Sequence, residues 1–210
     1  LLLILISLFA CSCSDIFNDK NTVSFYSSIS SKVGTKAIFG DDDTNDHQMI
    51  LWEDGDGVRI YSDHAMDIEN NHYSDYAVTR VGESNGRSKG KLENINDLPL
   101  LWSHVYSGPY NFYAVHPISQ ISDGGIISNT IPNDELLMVA QSNVPNIESK
   151  INLEFNPAFS AFRFFIKPEK DGIKIKKLWV KSLTGQSLSG NFTANIANII
   201  SGNYEIPEEA

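Results

Sequence analysis

Apolar side chains recur at every second position through most of this chain, and that period commits it to strands. Val23 and Phe25 alternate with Ser24 and Tyr26, Val58 and Ile60 with Arg59 and Tyr61, and Tyr76 and Val78 with Ala77 and Thr79. A helix would repeat near 3.6 residues; a period of two places one set of side chains on a single sheet face. Ile151, Leu153 and Phe155 share a face, as do Phe162, Phe164 and Ile166, with Pro157 between them marking a turn or bulge. Phe112-Tyr113-Ala114-Val115 is a short run closed by Pro117. Leu136 to Ala140 is apolar on both parities, which predicts a central strand buried on both sides. Ile173 to Lys181 changes phase, so a β-bulge is expected near Lys176-Lys177. Residues 191–199 are a weaker strand, and Tyr204-Glu205-Ile206 begins another. One stretch departs from this period. Leu98, Leu101, Trp102 and Val105 follow helical spacing, with Pro99 suited to a first turn. Eight or nine short strands and one short helix predict an all-β, antiparallel β-sandwich.

Two segments read as exposed loops: GESNGRSKGK at 82–91, which has three glycines and no apolar side chain, and GDDDTND at 40–46. The N-terminus has a different character. LLLILISLFA contains one polar residue, Ser7. Ten helical residues span about 15 Å, half a bilayer core, so this piece matches the apolar part of a secretory signal. Leu8-Phe9-Ala10-Cys11 then resembles a bacterial lipobox, with Phe9 bulkier than the usual occupant. Cys11 is the expected lipidation site and Cys13 the alternative acceptor. Acyl chains gain about 0.8 kcal/mol per buried methylene, enough for two or three chains to hold a protein on a membrane. The organisation follows: 1–10 signal peptide, 11–22 lipidated N-terminus and tether, 23–199 β-sandwich domain, 200–210 linker or the start of a second domain. The chain begins without Met and is read as part of a longer precursor.

Composition narrows the chemistry. Acids outnumber bases 26 to 16, for a net charge of −10, so no chain-wide basic footprint for nucleic acid exists. Two cysteines, both N-terminal, exclude a disulfide scaffold and a four-cysteine zinc site. Charge is also segregated: Asp41 to Asp75 holds eleven acids and one base, Arg163 to Lys181 seven bases and two acids. Solvated faces and loops account for this; complementarity between copies is the sharper alternative. Asp41-x-Asp43-x-Asn45 starts like an EF-hand loop but has Asp46 and Trp52 where Gly and Glu are required. Asp54 and Asp56 around Gly55 read as a turn. His47, His64, His72, His104 and His116 lack zinc spacing, and Gly185-Gln186-Ser187-Leu188-Ser189 lacks the second glycine of a nucleophile elbow. We expect no enzyme activity, no cofactor and no metal site.

The order of landmarks adds a resemblance. Val23-Ser24-Phe25, Thr35-Lys36-Ala37 and Trp52-Glu53-Asp54-Gly55-Asp56 come first. Phe112-Tyr113-Ala114-Val115-His116-Pro117, Glu135 to Ala140, Ile151 to Pro157, Phe162 to Ile166 and Leu188-Ser189-Gly190 follow. In this sequence they resemble the N-terminal domain of fimbrillin-like proteins of Bacteroidota, subunits of type V pili. Lys36 stands where arginine is common in that family, and His116 where tyrosine is.

The resemblance implies a transthyretin-like β-sandwich without catalysis, exported to the outer membrane as a lipoprotein and forming part of a fimbria. In polymerising members a protease removes the first strand, and a strand from the next subunit fills the groove. The implied partners are other pilus subunits, the outer membrane through the lipid anchor, and a host or glycan receptor. A surface glycan-binding lipoprotein on the same scaffold is the alternative. Between Cys11 and Trp52 the bases are Lys20, Lys32 and Lys36, with no arginine. Lys36 is therefore the candidate maturation site for a lysine-accepting protease; otherwise the strand of Val23 and Phe25 stays in place and the subunit acts as an anchor or terminus.

Overall fold

The computed structural model describes residues 21–29, 50–84, 87–131, 136–159, 174, 176–179, 181, 183 and 190–203. Ten strands and one helix occur there: β1 Phe25–Ile29, β2 Gly57–Ser62, β3 Tyr73–Ser84, β4 Arg87–Asn94, β5 Tyr110–His116, β6 Gln120–Ser122, β7 Ile126–Ile131, β8 Met138–Val144, β9 Ile151–Pro157, β10 Gly190–Asn195 and α1 Ile196–Ser201. Seven strands close into a barrel in the order β1-β4-β3-β2-β5-β8-β9, and β10-β7-β6 form a separate three-stranded sheet.

The mostly-β reading holds and one short helix occurs among the described residues, though not where it was expected, and the closed ring differs from the expected antiparallel sandwich. The ring closes because β1 pairs antiparallel with β4 and parallel with β9. Phe25, Ser27 and Ile29 face inward, and both backbone edges of β1 are occupied, so the barrel has no free edge there. Alternation along the other staves supplies the interior. Val58 and Ile60, Tyr76 and Val78, and Ile151, Leu153 and Phe155 are all buried.

A second apolar layer lies outside the ring. Tyr61, Tyr113, Val115 and Val139 point outward from β2, β5 and β8 and pack with Ile121, Ile127, Phe192, Ala194, Ile196 and Ile199. β5 and β8 are therefore buried on both faces, as the doubly apolar run at 136–140 predicts for its strand.

Three local expectations are corrected. Residues 95–106 form no helix. Leu100 and Trp102 are buried while Val105 is 97% exposed, so the buried positions do not follow helical spacing. Its backbone is bound elsewhere: Leu101 N donates to Met66 O, and Leu100 N to the Tyr76 hydroxyl. The helix occurs instead at α1, where the Asn195 side chain accepts from Ala197 N and Gly202 terminates the helix at φ 73. The 82–91 segment is not a free loop, because β3 and β4 run through it as a hairpin with a register shift between Thr79 and Gly82. Gly90 is required inside that hairpin. A Cβ there would lie 2.4 Å from Val78 Cγ1, so the core side chain occupies the place a larger residue would need. Lys174, Lys176–Trp179 and Lys181 carry no strand and are exposed, so the expected bulged strand is absent at these described positions. The signal segment, Cys11, Cys13, Lys36, the 40–46 loop, Phe162 to Ile166 and Tyr204 to Ile206 lie outside the described residues.

Candidate functional site

The site with the clearest functional geometry is the slot that β1 fills. Four residue pairs join β1 to β4, from Phe25↔Leu92 to Ser28↔Lys89. Five join it to β9, from Phe25↔Ile151 to Ile29↔Phe155. The lead-in is fastened as well. Val23 N donates to Leu100 O at 2.9 Å, Trp102 N donates to Asn21 O at 2.8 Å, and Ile151 N donates to Ser24 O at 2.9 Å. Thr22 bridges Leu101.

Side-chain contacts fasten β1 on both faces. Phe25 sits edge-on to Tyr76 and Phe112 at centroid distances of 5.3 and 5.2 Å. Ser27 is 1% exposed and its hydroxyl donates to Gly90 O at 3.2 Å. On the outer face Asn152 Nδ2 donates to Ser28 Oγ at 3.4 Å, and Lys150 Nζ lies 5.3 Å from the Tyr26 ring centre. Val23, Phe25 and Ile29 are each at most 2% exposed. Burying such side chains is worth about 1.5–3 kcal/mol apiece, so departure of β1 would forfeit several kcal/mol of burial.

A shallow hollow adjoins the start of this segment. It has a volume of about 330 Å³ and is lined by residues that include Asn21, Trp102, His104, Tyr106 and Ile147. Asn21 Nδ2 lies 3.1 Å from His104 Nε2, and Tyr106 stacks on His64 at 3.6 Å between ring centres. Trp102 is 4% exposed, so its ring is a wall of the core more than a platform for a ligand.

The other singled-out residues have structural partners. Asp54, Gly55 and Asp56 form the turn into β2: Asp56 Oδ2 accepts from Glu53 N, and Gly55 N donates to Val78 O. His116 places Nδ1 2.9 Å from Gly57 O, which requires the proton on that nitrogen, and its ring meets Trp52 edge-on. His72 Nδ1 lies 2.9 Å from Ser62 O. Asp67 is buried and accepts from Glu69 N, Asn71 N and Asn71 Nδ2. Among the described residues no three His, Cys, Asp or Glu side chains gather as a metal site, and no helix is long and apolar enough to cross a membrane.

Arg59 lies in β2, paired on both sides by β3 and β5. It forms a two-pronged ion pair with Asp75 at 2.6 and 2.8 Å and covers Tyr73 at 4.7 Å. The bond to Asp75 holds the guanidinium pKa above its ordinary value. Paired strand backbone does not extend into a protease cleft without local opening. Arg87 is the first residue of β4. What sequence reasoning missed is the double pairing of β1, because alternation identifies faces but not neighbours.

No protein family model matches the chain, and no curated sequence does. Solved structures similar over part of it include two candidate cell adhesion proteins of Bacteroides. A candidate cell adhesion protein from Bacteroides uniformis ATCC 8492 is 16% identical with a TM-score of 0.40. A candidate cell adhesion protein from Bacteroides fragilis NCTC 9343 is 20% identical with a TM-score of 0.32. Each match covers 65% of this chain and 49% of the other, so the chain spans about half the length of either neighbour. Likeness at this level carries no inference about shared activity.

Proposed function

We propose that this chain is a structural or adhesive subunit of a cell-surface pilus, anchored to the outer membrane through a lipid on Cys11 and joined to other subunits by strand addition. The supporting observation is β1 itself. It is an N-terminal strand bonded along both edges, with its inward side chains buried, so its departure would open one slot for an extended polypeptide. The chain carries no catalytic role in this reading and needs no cofactor.

The test is the N-terminus of the cell-surface form, read by mass spectrometry. Acyl mass on Cys11 with residues 1–10 removed supports the lipoprotein reading, and acyl mass on Cys13 would move the site. A retained, unmodified signal segment would overturn it. A mature start just after Lys36 supports removal of β1 and donor-strand assembly. A lipidated start within assembled fibres supports an anchor or terminal role with the slot closed. A start after Arg59 would contradict the doubly paired position of β2.

A further inference from the structure

We infer that the slot accepts only a partner strand with a fixed order of side-chain sizes: aliphatic, aromatic, small, aliphatic at alternate positions. This rests on the strand-exchange reading above and adds to it what the incoming strand must be. The resident strand supplies the template, since Val23, Phe25, Ser27 and Ile29 all face inward and are each at most 2% exposed.

Two of the four positions are constrained by their walls. At position 25, Tyr76 and Phe112 both present edge-on ring contacts, which an aliphatic side chain would leave unfilled. At position 27 the opposite residue on β4 is Gly90, and Val78 Cγ1 lies 2.4 Å from the place a Gly90 Cβ would take. The place of a Gly90 Cβ is also 3.3 Å from Ser27 Oγ, so the serine hydroxyl and the Val78 methyl together fill that level. Val78 is itself fully buried, so this level leaves little room for a longer side chain at 27. Ser27 Oγ also donates to Gly90 O, so alanine would fit with the loss of one bond, but leucine would not fit.

The resident runs parallel to β9 and antiparallel to β4, and the size order is read for an occupant of that same direction. A slip of one residue that moves Tyr26 to the place of Ser27 would put a ring where the small side chain is needed, and the opposite slip would put Ser24 and Ser30 in the two aliphatic places.

The experiment uses the full chain in two measurements. First, thermal melting compares Ser27→Leu with the outward-facing Ser24→Leu. We expect Ser27→Leu to lower Tm by about 5 °C or more and Ser24→Leu to change it little. Equal melting would overturn the size order whatever the strand does in assembly. Second, the Phe25→Ala chain, whose own strand is weakened, is refolded from denaturant with an excess of labelled peptide NTVSFYSSI, and bound label is read by size-exclusion chromatography. Val23→Ala replaces it if Phe25→Ala does not refold. We expect the peptide to bind and its Ser27→Leu version to bind at least about tenfold more weakly. Equal binding of both peptides would overturn the selectivity while leaving strand exchange standing. Binding of neither, with Ser27→Leu still melting early, would overturn strand exchange itself and with it the claim that the order selects a partner.

Discussion

The inner and outer apolar layers are built differently although they share β5 and β8. The barrel interior is meshed by aromatic rings in edge contact: Phe25 with Tyr76 and Phe112, Trp52 with Phe155, and Trp102 with Tyr110 and Phe112. The outer layer is mostly aliphatic, with Val115, Ile121, Ile127, Leu137, Val139, Ile196 and Ile199. Backbone pairing differs as well. The barrel is a closed ring, whereas β6 and β10 are the outer strands of a three-stranded sheet held to it by side-chain packing. The ring depends on each stave being present; the outer sheet depends on one packed face. Loss of β1 is therefore a failure of closure, and damage to the outer sheet leaves closure intact.

Substitutions can test that separation. The largest effect belongs to Phe25→Ala, which removes a fully buried ring from the stave that closes the barrel. We expect a loss of about 3–5 kcal/mol in denaturant unfolding. A loss below about 1 kcal/mol would show that β1 contributes little to closure.

Gly125→Ala strikes the outer layer. Gly125 has φ +74, and a Cβ there would lie 2.3 Å from the Tyr113 ring. The expected cost is about 2–3 kcal/mol, with amide exchange accelerated at Ile127 but not at Ile60. Equal acceleration at both would mean that the layers unfold as one unit.

Asn195→Ala removes the cap of α1, whose side chain accepts from Ala197 N, and should cost about 1 kcal/mol. Ile196 and Ile199 carry this helix into the outer layer, so the barrel amides should again keep their protection.

The smallest effect at neutral pH concerns Tyr76. Burial pushes its hydroxyl pKa above the ordinary value of 10.0. The neutral phenol is thus favoured in the folded state. Its contribution is complete below about pH 10 and is lost as pH rises beyond that, because the unfolded chain ionises first. Stability should therefore fall above pH 10, and less steeply in Tyr76→Phe; identical slopes for the two proteins would assign the alkaline loss to other groups.

Much of the barrel was legible in residues whose burial alternates cleanly. Ile151, Leu153 and Phe155 are inward and Asn152 and Glu154 exposed, and the doubly apolar 136–140 run entered a stave packed on both faces. The 95–106 segment misled because Leu98, Leu101, Trp102 and Val105 fit helical spacing, while Leu100 and Trp102 fit a strand equally well. Tertiary hydrogen bonds decided between them. The 82–91 hairpin was hidden because the buried positions among its described residues are Ser88 and Gly90, small residues that no hydrophobic pattern marks. The candidate slot was half legible. Val23 and Phe25 announced a strand, but parallel pairing with β9 joins segments far apart in the chain, and local spacing carries no record of it.

That distance orders events in time. Phe25 pairs with both Leu92 and Ile151. A chain delivered N-terminus first presents Phe25 early and then must wait for its last neighbour. Contacts of such long sequence separation are slow to form, because the loop entropy is lost before they repay it. Until Ile151 to Phe155 arrive, an early strand is a guest with one host. Any foreign strand present during that interval competes on nearly equal terms, and once β9 has arrived the resident is protected on both sides. The first strand's vulnerability is thus greatest during the birth of the molecule, and its tenure is secured by the last stave to be made.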